Sequence, residues 1–252
     1  MIAVIGGSGL EKLPGAQINR RHTVTSKYGP TSDAVLEIEV EQQTFLFLPR
    51  HAEDHRLPPH LINYRANVWA LHKLGVTAIY SVNAVGGIDP DMSAGDFVVP
   101  HQIIDYTFAR EATFFDGISE PLKHTDFTEP YTQVLRERLV EMASRVSTRS
   151  VHAEGVYGCT QGPRLETAAE VERLRRDGCD IVGMTTMPEA ILARELGIDY
   201  ATICMVVNPA AGLSNAPISI DAIEAECRAM ATDVSQILYA LICPALDTEN
   251  NS

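Results

Sequence analysis

Two short segments of the 252-residue chain carry residue types suited to handling an anion. Gly6-Gly7-Ser8-Gly9 follows the apolar run Ile2-Ala3-Val4-Ile5. Glycines let a backbone approach an anion closely, and the Ser8 hydroxyl with free backbone N–H groups can bind phosphate oxygens. A dinucleotide fingerprint would need a further glycine where Lys12 stands, so that reading fails, while a plain turn stays open. Arg50-His51 closes a second apolar run, 44–48. A guanidinium at a strand's end suits bidentate phosphate binding, and the histidine beside it can reach phosphate or a sugar hydroxyl. Surface Arg-His pairs without function are also common.

Three more clusters follow apolar runs: Asn83-Ala84-Val85-Gly86-Gly87, Gly183-Met184-Thr185-Thr186-Met187-Pro188-Glu189 and Asn208-Pro209-Ala210-Ala211-Gly212. In α/β sheets ligands bind beyond the carboxyl ends of strands, so small and hydroxyl-bearing residues at three such ends favour a pocket. Each alone reads equally well as a strand-to-helix turn. His51, His55, His60 and His72 lack the spacing of a metal site, and no G-x-S-x-G elbow is present. A mechanism without metal or cofactor is the default expectation.

The elements that must position these residues alternate. Strands are expected at 2–5, 36–40, 44–48, 78–82, 97–104, 151–157, 181–182 and 200–207. Helices are expected at 63–74, 134–146, 167–176, from Pro188 to about Gly197, and from a cap at Ser219 to about Leu241. That order predicts an α/β fold with a central mixed sheet flanked by helices. Residues 106–130 show no period and read as an irregular excursion, a length of loop that is often functional. No linker divides the chain, so one domain is expected over 1–245, with a flexible tail at 246–252. A net charge of −13 argues against nucleic acid as a partner. Five scattered cysteines, no signal-like start and no membrane-length apolar run point to a reduced, cytoplasmic protein.

Five segments together resemble, in order, the methylthioadenosine phosphorylase branch of the purine nucleoside phosphorylases. They are Ile5-Gly6-Gly7-Ser8-Gly9-Leu10, Pro49-Arg50-His51, Asn63-Tyr64-Arg65-Ala66-Asn67-Val68-Trp69-Ala70-Leu71, Thr160-Gln161-Gly162-Pro163-Arg164-Leu165-Glu166-Thr167 and the run from Gly183 to Glu189. The resemblance covers about residues 1 to 240 and implies a glycosyl (pentosyl) transferase of purine salvage, assembled as a homotrimer or a dimer of trimers. It implies no cofactor, with inorganic phosphate as co-substrate. It makes Ser8, Arg50, His51 and Thr185 phosphate ligands, with Asn83 and Ala84 near them. Met184 would lie under the ribose. His55 and His124 would lie near the 5′ end of the substrate, where a neighbouring subunit can contribute.

The departures from the adenine-directed pattern carry the specificity reading. Where that branch has two aspartates separated by one residue, this chain has Asn208-Pro209-Ala210. A carboxylate suits the 6-amino group of adenine. An asparagine amide can instead donate to the O6 of a 6-oxopurine and accept from a protonated N7. A site built for one pattern leaves groups unpaired with the other, so Asn208 implies hypoxanthine over adenine. Ile218, Ile220 and Ile223 stand where the family walls the 5′-methylthio group, although helix-entry packing accounts for them nearly as well. Leu165 replaces an expected aromatic partner for the base, and Glu166 stands at a position that varies with specificity. The runs 82–88 and 206–212 are similar to the methylthioinosine-directed subgroup. The expected reaction is phosphorolysis of S-methyl-5′-thioinosine to hypoxanthine and 5-methylthioribose 1-phosphate. A general inosine or guanosine phosphorylase, a methylthioadenosine phosphorylase, and a non-catalytic nucleoside-binding protein are the alternatives.

Overall fold

The computed structural model describes residues 1–243, so the tail expected at 246–252 lies outside the described residues. In chain order the elements are β1 (Ile2–Gly6), β2 (Gln17–His22), β3 (Val35–Val40), β4 (Gln43–Pro49), α1 (Tyr64–Lys73), β5 (Ala78–Gly87), β6 (Phe97–Val98) and β7 (Gln102–Asp105). Then come α2 (Gln133–Val146), β8 (Val151–His152), β9 (Val156–Cys159), α3 (Ala168–Arg176), β10 (Ile181–Gly183), α4 (Thr186–Glu195), β11 (Asp199–Pro209) and α5 (Ile220–Ile242).

The strands form one mixed sheet in the order β2-β3-β4-β1-β5-β10-β9-β7, with β11 on the other side of β5 and leading to β6 and β8. β1 runs parallel to β4 and β5, and β11 runs parallel to β5, whereas β2, β3 and β4 form an antiparallel meander. The period of two in the central strands explains why the sheet is covered on both faces. In β11, Tyr200, Cys204 and Val206 pack into the layer that holds α1 and α4; Ala201, Ile203, Met205 and Val207 pack into the layer that holds α2 and α5. β4 splits the same way, with Leu46 and Leu48 facing one layer and Phe45 and Phe47 the other.

Helix starts follow side-chain chemistry. Asn63 accepts the Ala66 amide at 3.0 Å, Thr167 and Glu170 form a reciprocal capping box, and Ser219 accepts the Ala222 amide at 3.3 Å. The structure departs from the sequence in four places, the first being that the single strand expected over 151–157 is two, β8 and β9. The single strand expected over 97–104 is two strands that part at Pro100, which has no amide to donate: β6 pairs with β11 and β8, and β7 pairs with β9. β2 was invisible to apolar alternation because it is an almost wholly exposed edge strand. Pro188 is not a regular first-turn proline. Met187 before it is extended (φ −111°, ψ 135°), so the helical part of α4 begins after that kink.

Candidate functional site

The sheet itself opens the site. β1 pairs with β5 as far as Ser81, and β10 takes up that edge of β5 at Gly86. Among the described residues, no strand lies on that side of the stretch of β5 between them. The Val82 carbonyl there accepts from Arg50 Nη1 at 3.0 Å instead. A cavity opens at this gap, beyond the carboxyl ends of β1, β4 and β11, where diverging strands leave a crevice. Ser8, Arg50, His51, Asn83, Ala84, Met184 and Thr185 line it, and so do Leu165, Glu166, Asn208, Ala210, Ile218 and Ile223. The glycine loop reaches it only because Gly7 has no side chain. A Cβ there would lie 2.5 Å from the Val82 carbonyl oxygen and 2.8 Å from Arg50 Nη1.

Arg50 does not present the two-pronged fork expected for phosphate. Its side chain is fully buried, and Nε and Nη2 donate to the two oxygens of Glu189 at 2.8 and 2.9 Å. Nη2 also donates to Ser81 Oγ, so with Val82 four of the five N–H groups are spent inside the protein. Glu189 is equally saturated, accepting from the Tyr200 hydroxyl at 2.7 Å and Ser81 Oγ at 3.1 Å. Burial alone would make Arg50 easier to deprotonate, but Glu189 outweighs it and holds the guanidinium charged. The pair is therefore an internally neutral post with one N–H left over.

His51 is neutral as well. Its Nδ1 lies 2.7 Å from the Leu57 carbonyl, which can only accept, so Nδ1 carries the proton and Nε2 is left with a lone pair. Burial, and then the adjacent Arg50 charge, push it down to about 4. Asn83 and Thr185 complete this corner. Thr185 donates to Asn83 Oδ1 at 2.6 Å, and Asn83 Nδ2 donates to Thr202 at 2.6 Å, which fixes both side chains from behind.

The opposite wall is looser. A β-bulge between Val206 and Asn208 puts Asn208 opposite Gly86 and aims it at the cavity. Its Nδ2 donates to the Pro209 carbonyl at 2.6 Å, and no donor among the described residues meets its Oδ1. Glu166 accepts from Thr160 Oγ1 at 2.6 Å through one oxygen, and the other faces no protein donor among the described contacts. Leu165 is 38% exposed at the mouth.

Four residues singled out from the sequence do not line this cavity. Pro209 contributes its carbonyl to Asn208 but points outward, and Ile220 is 57% exposed at the start of α5. His55 stands behind His51, stacked on it at 4.8 Å and hydrogen-bonded to Glu11, which raises its pKa. His124 is exposed in the irregular excursion. Conversely, Glu189 had no assigned role in the sequence. Its only signal was an acid inside the otherwise apolar stretch 187–193, which demands a buried partner. Among the described residues no cluster of His, Cys, Asp or Glu is placed to hold a metal ion, and no helix is long and apolar enough to cross a membrane.

Comparison with known proteins agrees with this geometry. The "Probable S-methyl-5′-thioinosine phosphorylase" of Pseudomonas syringae pv. tomato is 51% identical over 226 residues, spanning 90% of this chain and 92% of that protein. The "6-oxopurine nucleoside phosphorylase" of Pyrococcus furiosus is 44% identical over 246 residues, spanning 96% and 91%. Among solved structures, methylthioadenosine phosphorylase from Schistosoma mansoni in complex with adenine superposes with a TM-score of 0.91 at 33% identity, covering 98% of this chain and 92% of that one. The family model described as the phosphorylase superfamily matches residues 1–242, nearly the whole of the described fold and every wall of the cavity. On all three comparisons the chain belongs to the phosphorylase superfamily.

Proposed function

We propose that the protein is a pentosyltransferase that cleaves S-methyl-5′-thioinosine with inorganic phosphate, giving hypoxanthine and 5-methylthioribose 1-phosphate. The observation that carries this reading is Asn208, set on the cavity wall by the bulge in β11 with its Oδ1 met by no donor among the described residues. Phosphate is held by Ser8, the glycine-loop amides and the spare N–H of Arg50, its remaining P–OH donates to the lone pair on His51 Nε2, and Thr185, Asn83 and Ala84 close the corner, the Thr185 hydroxyl proton being given to Asn83. A phosphate oxygen attacks C1′ as the C1′–N9 bond breaks, and that bond's electron pair passes to the purine. Positive charge developing on the sugar meets the phosphate, and Met184 lies beneath the ribose. Asn208 Oδ1 accepts from N7–H of the leaving base, and the amide donates to O6.

Glu166 sharpens the choice of base. A 6-oxopurine carries a proton on N1, which a carboxylate accepts, whereas adenine has a lone pair there that a carboxylate repels. Ile218 and Ile223 on the cavity wall favour an apolar 5′ substituent over a hydroxyl. The names of the Pseudomonas and Pyrococcus relatives both describe oxopurine chemistry, and the first also specifies the methylthio group. The reading includes no cofactor, a cytoplasmic location in keeping with five free buried cysteines, and a homotrimer or pair of trimers. Exposed Phe108, Ile118 and Leu122 give the excursion that carries His124 an apolar surface for a neighbour.

Base release from methylthioinosine, methylthioadenosine and inosine, each with and without phosphate, tests the reading. Phosphate-dependent release of hypoxanthine chiefly from methylthioinosine is expected. Faster turnover of inosine favours a general 6-oxopurine enzyme, and faster turnover of methylthioadenosine rejects the role of Asn208.

A further inference from the structure

Two loops contribute to the nucleoside side of the cavity: 160–166, which brings Leu165 and Glu166, and the Met184–Met187 turn ahead of the helical part of α4, which brings Met184. Neither is fixed by a strand ladder along its length. Between them stands Arg110, half-buried in the irregular excursion, whose role no sequence pattern announced. Its Nη1 donates to the Met184 carbonyl at 2.8 Å and to the Met187 carbonyl at 2.5 Å. Its Nη2 donates to the Gln161 carbonyl at 2.8 Å and the Thr160 carbonyl at 3.3 Å, and Nε to Gln161 Oε1 at 3.2 Å. The plane rests 5.4 Å over the Tyr64 ring, whose hydroxyl is also within reach of Nη1. Ala109 before it has φ +55°, an uncommon conformation for a residue with a side chain, which turns the chain so that Arg110 enters the gap.

We propose that Arg110 is a positioning residue that clamps these two loops together and so sets the distance between the ribose-facing and base-facing walls. A guanidinium is the one side chain with enough donors, in a rigid plane, to bind carbonyls from two loops at once. The loops touch where it holds them. Gly162, at φ +62°, would put a Cβ 2.5 Å from Met184 Sδ, so any opening or closing of the clamp moves the Met184 side chain. The phosphate corner has anchors of its own: Glu189 for Arg50, the Leu57 carbonyl for His51, and Asn83 for the side chain of Thr185, the one residue of that corner inside the clamped turn.

The kinetic half of this proposal rests on the phosphorolysis reading, and the structural half does not. Arg110→Ala should lower kcat/KM for the nucleoside about 100-fold, the usual cost of an ångström-scale misplacement, and move the KM for phosphate by less than about threefold. Hydrogen exchange should quicken in 160–166 and 184–187 and stay unchanged at Arg50 and Asn83. Added guanidinium ion should restore part of the lost nucleoside turnover, which a general loss of fold would not allow. Equal losses toward nucleoside and phosphate, or unchanged exchange in both loops, would overturn the clamp. If Arg110→Ala does not fold, Arg110→Lys keeps the charge without the fork. It should show the same nucleoside-selective loss, and wild-type behaviour would overturn the clamp. If the unaltered enzyme fails to turn over any nucleoside, the phosphorolysis reading falls while the exchange comparison still decides the clamp.

Discussion

The two sides of the cavity are built by different means. On the phosphate side Arg50, His51, Asn83 and Thr185 are all buried, and each is held from behind by a partner deeper in the protein. On the nucleoside side Leu165, Glu166, Asn208, Ile218 and Ile223 are half-buried or exposed and sit on loops, a bulge and the first turn of a helix. An anion of fixed shape rewards a rigid cage, whereas specificity for base and 5′ group can change only where side chains are free to be exchanged. The contrast predicts that substitutions on the first side cost stability and those on the second cost selectivity. The largest effect should come from Glu189→Gln. It leaves a buried guanidinium without its counter-charge, a change worth roughly 3–5 kcal/mol. Denaturant unfolding should show a loss of that order, with a raised KM for phosphate in whatever enzyme remains folded. A loss below about 1 kcal/mol would show that the post is not rigidly paired.

The same burial makes the phosphate side sensitive to acid. His51 and His55 stack on each other, yet their shifts oppose: His51 is pushed from 6.5 down to about 4, while the Glu11 hydrogen bond raises His55. A depressed histidine binds fewer protons folded than unfolded, so its contribution is full above pH 6.5 and is lost as pH falls toward 4. The shift corresponds to about 3 kcal/mol over that window. His55 acts in the other direction, stabilising at low pH and losing that contribution as pH rises through its folded value. The unfolding free energy of the phosphate-free protein in urea should therefore fall between pH 6.5 and 4, and His51→Gln should flatten the slope. An unchanged slope would place the acid sensitivity elsewhere.

On the nucleoside side the larger effect should be Asn208→Asp. A carboxylate cannot donate to O6, so turnover of the 6-oxopurine nucleoside should fall about 100-fold, or about 2.7 kcal/mol, with little change in unfolding free energy. Loss of stability in place of selectivity would erase the contrast between the two sides.

The sequence made the phosphate side more legible than the mechanism by which it is held. Gly7, Ser8, Arg50 and His51 stand in short segments with distinctive composition, and the structure gathers them in one cavity with Asn83 and Thr185. The central strands and the caps at Asn63, Thr167 and Ser219 were legible because burial on both faces and side-chain capping leave local patterns. What was hidden depends on distant pairing. The Arg50–Glu189 contact joins residues 139 apart in the chain, and the gap in the sheet beside Val82 exists only because β1 pairs with β5 no further than Ser81 and β10 joins it only at Gly86. Arg110 makes its bonds to carbonyls, which every residue has, so no spacing of residue types could reveal it. The bulge at Val207 escaped notice for a related reason: apolar residues run through it without a break.

Ile223 sets the smallest effect and the finest test of the contrast. It is half-buried, lines the cavity and also packs against the core layer of α5, so packing and specificity both lay claim to it. Replacing it by serine removes apolar contact and adds a hydroxyl. If its chief work is to meet the 5′ group, preference for methylthioinosine over inosine should shrink about tenfold, or about 1.4 kcal/mol, the scale of a small change in an apolar pocket. The unfolding free energy should then change by less than the selectivity does. If packing dominates, the order reverses, since the cost of removing apolar volume from a core appears in stability for every substrate alike. Measuring both quantities on one variant therefore separates the two claims. The reversed result would move the boundary between rigid scaffold and exchangeable wall from the side chain of Ile223 outward to Ile218.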